Sequence, residues 1–115
     1  MDEATGCGLL KEQFTQAGLD IHVNFPLAEG AIRFNVDGFD PVRRIGYEYI
    51  TTAAGDREEL TPEVMTALET SMAQAAPGGL YIFLIDELDI SGPDELRHAA
   101  AQFLARVQTL RGGAQ

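Results

Sequence analysis

Apolar positions along this chain change period several times, and each change marks an element. Leu9, Leu10, Phe14 and Ala17 share one face at helical spacing, and Gly18 follows as a C-cap candidate. The pattern predicts a helix over residues 9–17, with Gly6 and Gly8 leaving its start open. Ile21, Val23 and Phe25 then alternate with His22 and Asn24, as in a half-buried strand that ends at Pro26 and the Ala28-Glu29-Gly30 turn. Residues 32–50 predict a hairpin around Asp40-Pro41-Val42-Arg43, a good type I turn with Asp first and Pro second. If Asp40 and Arg43 close it, Val36 faces Tyr47, Asn35 faces Glu48 and Asp37 faces Gly46. One side of the hairpin then carries Ile32, Phe34, Val36, Ile45, Tyr47 and Tyr49. The other carries Arg33, Asn35, Asp37, Gly46, Glu48 and Ile50, and a one-residue slip would mix the two sets.

After an acidic loop over 53–60, Thr61 caps a second helix, with Pro62 at its first position and Glu63 in its first turn. Val64, Leu68, Met72 and Ala75 form its buried stripe, and Pro77-Gly78-Gly79 ends it. LYIFLI, residues 80–85, is apolar without alternation, which predicts a central strand covered on both faces. Pro93, Asp94 and Glu95 open a last helix lined by Leu96, Ala99, Ala100, Phe103, Leu104, Val107 and Leu110. The expected fold is therefore α/β of the mixed α+β kind: one domain over residues 1–115, with the order α-β-β-β-α-β-α. Its single mixed four-stranded sheet has helices on both faces.

Composition narrows the function. With 45% hydrophobic residues the chain can bury a core without staples, and its one cysteine, Cys7, rules out an intrachain disulfide. The N-terminus is acidic and polar rather than signal-like, and GGLYIFLI is too short to span a bilayer, so no membrane and a cytoplasmic location are expected. Eighteen acids against eight bases give a net charge of −10. Affinity for phosphate backbones comes from clustered Lys and Arg. Here Lys11 is the single lysine and only Arg43 and Arg44 are adjacent, so nucleic acid is disfavoured. A basic protein partner is favoured by long-range attraction.

The chemistry-bearing candidates lie in the hairpin. Asp37 and Glu48 are diagonal neighbours in the inferred register, roughly 7–8 Å apart at Cβ, and Gly46 leaves room beside them. Two carboxylates so placed can share Mg2+ or Mn2+, which activates water and stabilises phosphoryl charge. With the helix–three strands–helix–strand order, this Asp and Glu resemble the PD-(D/E)XK nuclease-like fold. The resemblance covers most of the chain in topology but only Asp37 and Glu48 in motif. It implies a helix acid at Glu12 and a catalytic lysine two residues after Glu48, where this chain has Ile50. Arg33 is the nearest cation on that face and, always charged, serves only as an electrostatic stabiliser. The alternative for the same residues is a solvated hairpin side, with Arg33 and Glu48 as a weak surface ion pair.

Three functions compete. The first is a non-enzymatic acidic interaction domain of inhibitor, immunity or chaperone type, without a cofactor. Its contacts would be made by Asp56, Glu58 and Glu59, by Asp86, Glu87 and Asp89, or by Tyr47 and Tyr49 if their face is incompletely covered. The second is a metal-dependent nuclease-like phosphodiesterase, or its inactive descendant, using Asp37, Glu48, Glu12 and Arg33. The third is an oligomeric scaffold subunit that binds a second copy of itself.

Overall fold

Helix α1 runs over Glu3–Gln16, several residues ahead of the start suggested by its larger apolar side chains. In the computed structural model, which describes residues 3–51, 60–74 and 79–112, the reason lies at Gly6. A Cβ there would stand 2.8 Å from the ring of Tyr49, so the glycine lets the helix backbone lie directly on the sheet. Gly6, Leu10 and Phe14 are its buried stripe. The helix ends in a Schellman motif: Gly18 has φ +95°, its N–H donates to the Thr15 carbonyl, and the Leu19 N–H donates to the Phe14 carbonyl.

The strands are β1 (His22–Glu29), β2 (Ile32–Asp40), β3 (Ile45–Ile50) and β4 (Tyr81–Asp86). Helix α2 (Pro62–Gln74) connects β3 to β4, and a 3-10 turn (Glu87–Asp89) leads from β4 to helix α3 (Pro93–Gly112). The element order is the one expected. The sheet order is β1-β2-β3-β4, antiparallel except for the parallel β3–β4 pair. Helices α1 and α3 pack together on one face, over Ile45, Tyr47, Tyr49 and Tyr81. On the other face α2 covers Ile32, Phe34, Val36, Phe39, Leu80 and Ile82. Thr61 caps α2 as predicted, its Oγ1 accepting the Val64 N–H at 3.3 Å.

Four expectations need correction. Strand β1 runs through Pro26 to Glu29, because β1 is an edge strand and an edge tolerates a residue without an N–H. Strand β4 is also at an edge, not central. Its continuous apolar run follows from helices on both faces, which does not require strands on both sides. The hairpin turn holds four residues rather than two, with Asp40 opposite Ile45 and Phe39 opposite Gly46. Finally, Ile32, Phe34 and Val36 do not share a face with Ile45, Tyr47 and Tyr49, since the two sets belong to opposite layers.

Asp40 sets the turn. Its fully buried carboxylate accepts the N–H groups of Val42 and Arg43 at 3.0 Å and of Asp20 at 2.9 Å, and pairs with the Arg43 guanidinium at 2.9 Å. Arg44 then takes φ +61°, its N–H donates to the Asp40 carbonyl, and its side chain grips Glu29 through two bonds of 2.7 Å. Asp56, Glu58 and Glu59 lie outside the described residues, as do Ala75, Pro77 and Gly78 at the expected end of α2.

Gly6 and Gly8 make a matched test. Gly6→Ala should destabilise the fold by about 1–3 kcal/mol through overpacking on Tyr49. Nothing lies within 4 Å of a Cβ at Gly8, so Gly8→Ala should stabilise it by about 0.5–1 kcal/mol. Urea midpoints of the two variants should move in opposite directions.

Acid should expose the Asp40 contribution. Burial pushes this carboxyl upward. The Arg43, Asp20 and Val42 N–H groups and the Arg43 guanidinium together outweigh burial and bring the pKa down to about 2. An unfolded aspartate titrates near 3.9, so this contribution, about 2 kcal/mol, is complete above roughly pH 4 and disappears as pH falls toward 2. Unfolding of Asp40→Asn should show a shallower loss of stability across that interval than the wild type.

Candidate functional site

Asp37 lies where both hydrogen-bond ladders of β2 are interrupted. Toward β1, pairing runs His22–Phe39 and Val23–Gly38 and resumes at Phe25–Val36. The residue opposite Asp37 is Asn24, held at φ +53°, a left-handed conformation that asparagine tolerates better than most residues. Toward β3, the backbone ladder stops at Gly38–Tyr47. Beyond it the side chains take over. The Asp37 N–H donates to Glu48 Oε1 at 2.9 Å, and the Tyr49 N–H donates to Asp37 Oδ2 at 2.8 Å. Each strand thus lends a carboxylate to the amide of the other.

This interruption also reverses the side-chain alternation. Val36 and Phe39 both pack beneath α2, although they are three residues apart. Between them, Asp37 and Gly38 both turn toward the α1 layer. Gly38 is needed there because a Cβ would overlap the hydroxyl end of Tyr47. The result is a cleft of about 270 Å³ beneath α1, lined by Glu3, Cys7, Lys11, Asn24, Asp37 and Tyr47, among others.

The electrostatics of the cleft are set by acids. The Cys7 thiol hydrogen-bonds Asp37, and its pKa is driven far up, first by burial and then by the negative charge of Asp37, Glu3 and Glu48. A thiolate nucleophile is therefore disfavoured at this position. Burial, with smaller contributions from Cys7 and Asp37, also raises the Tyr47 phenol. Glu3 Oε2 accepts the Thr51 hydroxyl at 3.0 Å. Glu48 is wholly buried.

Several candidates from the sequence lie elsewhere. Glu12 is exposed and accepts from Gln16 at 3.4 Å, so the helix acid beside Asp37 is Glu3. Arg33 is exposed and donates to the Gly30 carbonyl at 3.2 Å, far along β2 from the seam. It makes no ion pair with the buried Glu48. Ile50 packs half-buried against the α2 layer. Tyr47 and Tyr49 are 1% and 0% exposed, so the face that was to offer them as contact anchors is covered by α1 and α3. Asp86 caps the 3-10 turn by accepting the Leu88 N–H at 2.9 Å, while Asp89 is exposed and Glu87 half-exposed beside an exposed Leu88. Among the described residues no three or more His, Cys, Asp or Glu side chains are grouped to hold a metal ion. His22 is exposed beside Asp20, and His98 is exposed on α3.

Sequence reasoning did not bring Glu3, Cys7, Lys11 or Asn24 to this site. The first three recur every four residues, so they share one helix face, but the signal is visible only once α1 is extended to Glu3. No helix among the described residues is long and apolar enough to cross a membrane. No family model matches the chain, and neither does any curated protein or solved structure.

Removing either carboxylate should orphan a specific amide. Asp37→Ala and Glu48→Ala should each cost about 1–3 kcal/mol. Hydrogen exchange should accelerate at the Tyr49 amide in Asp37→Ala and at the Asp37 amide in Glu48→Ala, in that crossed pattern.

Proposed function

We propose that this chain is a non-enzymatic acidic domain that binds a basic protein. The observation carrying this reading is the use of Asp37 and Glu48. Both carboxylates accept backbone N–H groups across the β2–β3 seam, one is sealed from solvent, and the neighbouring thiol is held protonated. Such a pair spends one oxygen of each carboxylate on joining strands, and only Asp37 of the two lines the cleft. The reading accordingly assigns no Mg2+ or Mn2+. The likeness to PD-(D/E)XK proteins enters it as ancestry, with the acids retained for the seam and the lysine position given to a core-facing Ile50.

The net charge of −10 supports a cationic partner. One contact surface is the turn after β4, where exposed Leu88 stands between Glu87 and Asp89, an apolar anchor flanked by charge. Asp94 and Glu95 follow on the first turn of α3, also exposed.

The test pairs binding with catalysis. Immobilised poly-L-lysine should bind the protein saturably, less tightly as salt rises. A Glu87→Lys/Asp89→Lys variant should lose about tenfold or more in affinity. Plasmid DNA with Mg2+ or Mn2+ should remain uncut. Binding indifferent to the charge reversal, or metal-dependent cleavage abolished by Asp37→Ala, would overturn this function.

A further inference from the structure

A cleft of about 270 Å³ opens beneath α1 beside Tyr47. Tyr47 is 99% buried, yet its hydroxyl has no hydrogen-bond partner among the described residues and faces the cleft. The phenol oxygen is not sealed from solvent, so a group entering the cleft can reach it. The sequence makes an unusual provision for this hydroxyl. Gly38 gives up a side chain so that the ring end fits, and Asn24 across the strand adopts a left-handed backbone that opens the ladder beside it. The Asn24 carboxamide, on the rim, is likewise without a partner. Two carboxylates, Glu3 and Asp37, line the site against one ammonium, Lys11, which is exposed at its edge.

We propose that this cleft binds the guanidinium of an arginine side chain presented by the partner, with Tyr47 as its innermost contact. The guanidinium donates to the phenol oxygen, to the half-buried Asp37 carboxylate and to Glu3, of which Oε2 alone is engaged, by Thr51. Acceptors disposed on the helix and on two strands suit a planar group with five N–H donors better than a compact ammonium. The volume of about 270 Å³ accommodates one side chain and not a folded segment. Val23, 53% exposed at the mouth, offers apolar surface to the methylene stem. This inference rests on the basic-partner reading and names the residue by which that partner is held.

The experiment titrates isotope-labelled protein with N-acetyl-arginine methylamide and follows backbone amide shifts, with the citrulline, lysine and inorganic phosphate counterparts run separately. Saturable shifts should centre on Cys7, Asn24 and Gly38, weaker with lysine and absent with citrulline. Tyr47→Phe keeps the ring and removes only the hydroxyl, and should raise the arginine Kd by about tenfold. Lys11→Met removes a like charge and should lower it. Equal binding of citrulline, an unchanged Kd in Tyr47→Phe, or phosphate binding lost in Lys11→Met would overturn the assignment. Poly-L-arginine separates the two levels. If it binds in a salt-sensitive way but leaves the cleft amides unmoved, the cleft assignment falls and the basic-partner function stands. If it does not bind at all, both fall.

Discussion

Two hydrogen bonds at one point in the sheet organise much of this molecule: the Asp37 amide to Glu48, and the Tyr49 amide to Asp37. A β ladder normally satisfies its backbone with backbone, and a strand that departs from it leaves polar groups in a dry interior. Here the departure is filled by carboxylates reaching across from each side. The exchange lets β2 change its facing between Val36 and Phe39 without abandoning β3. The upper half of β2 therefore serves the α2 layer while β3 serves α1 and α3. A sheet that kept its alternation would have placed Asp37 and Tyr47 on opposite sides, and no cleft would exist under α1.

Much of the architecture was legible because it depends on periodicity and caps. The Thr61-Pro62 start, the Gly18 stop and the alternating and continuous apolar runs each act over a few residues, and each led to the right element. What the sequence concealed depends on relations between elements. The hairpin register turned on Asp40, whose side chain is hydrogen-bonded to Asp20 as well as to its own turn, a partner twenty residues away. The local turn rule, blind to that bond, closed the loop two residues early. The position of β4 was hidden because an apolar run reports cover above and below, not neighbours on either side.

The site was legible in its acids and illegible in its setting. Asp37 and Glu48 stood out by residue type, and they do come together, directly across the seam rather than diagonally. Their role could not be read, since a carboxylate that holds an amide and one that holds a cation are the same letter. Tyr47 was noticed as a surface anchor under a condition that fails, and its position at the floor of the cleft follows from the facing reversal that only the folded sheet reveals. Glu3 was lost with the first turns of α1. Two glycines there lower helix propensity, and the compensation comes from Tyr49, forty-three positions later.

The parallel pairing of β3 with β4 carries a kinetic consequence. Strands β1 to β3 form a meander whose contacts close over short stretches of chain, whereas Ile45 meets Tyr81 only after the whole of α2 has been bridged. Loop closure of that length precedes any gain from the contact, so non-local strands join slowly. Until β4 docks, its apolar run is unprotected along both edges, with neither a lysine nor a proline in it to deter pairing with another chain. The segment that completes the sheet is thus also the one through which unfinished molecules would aggregate.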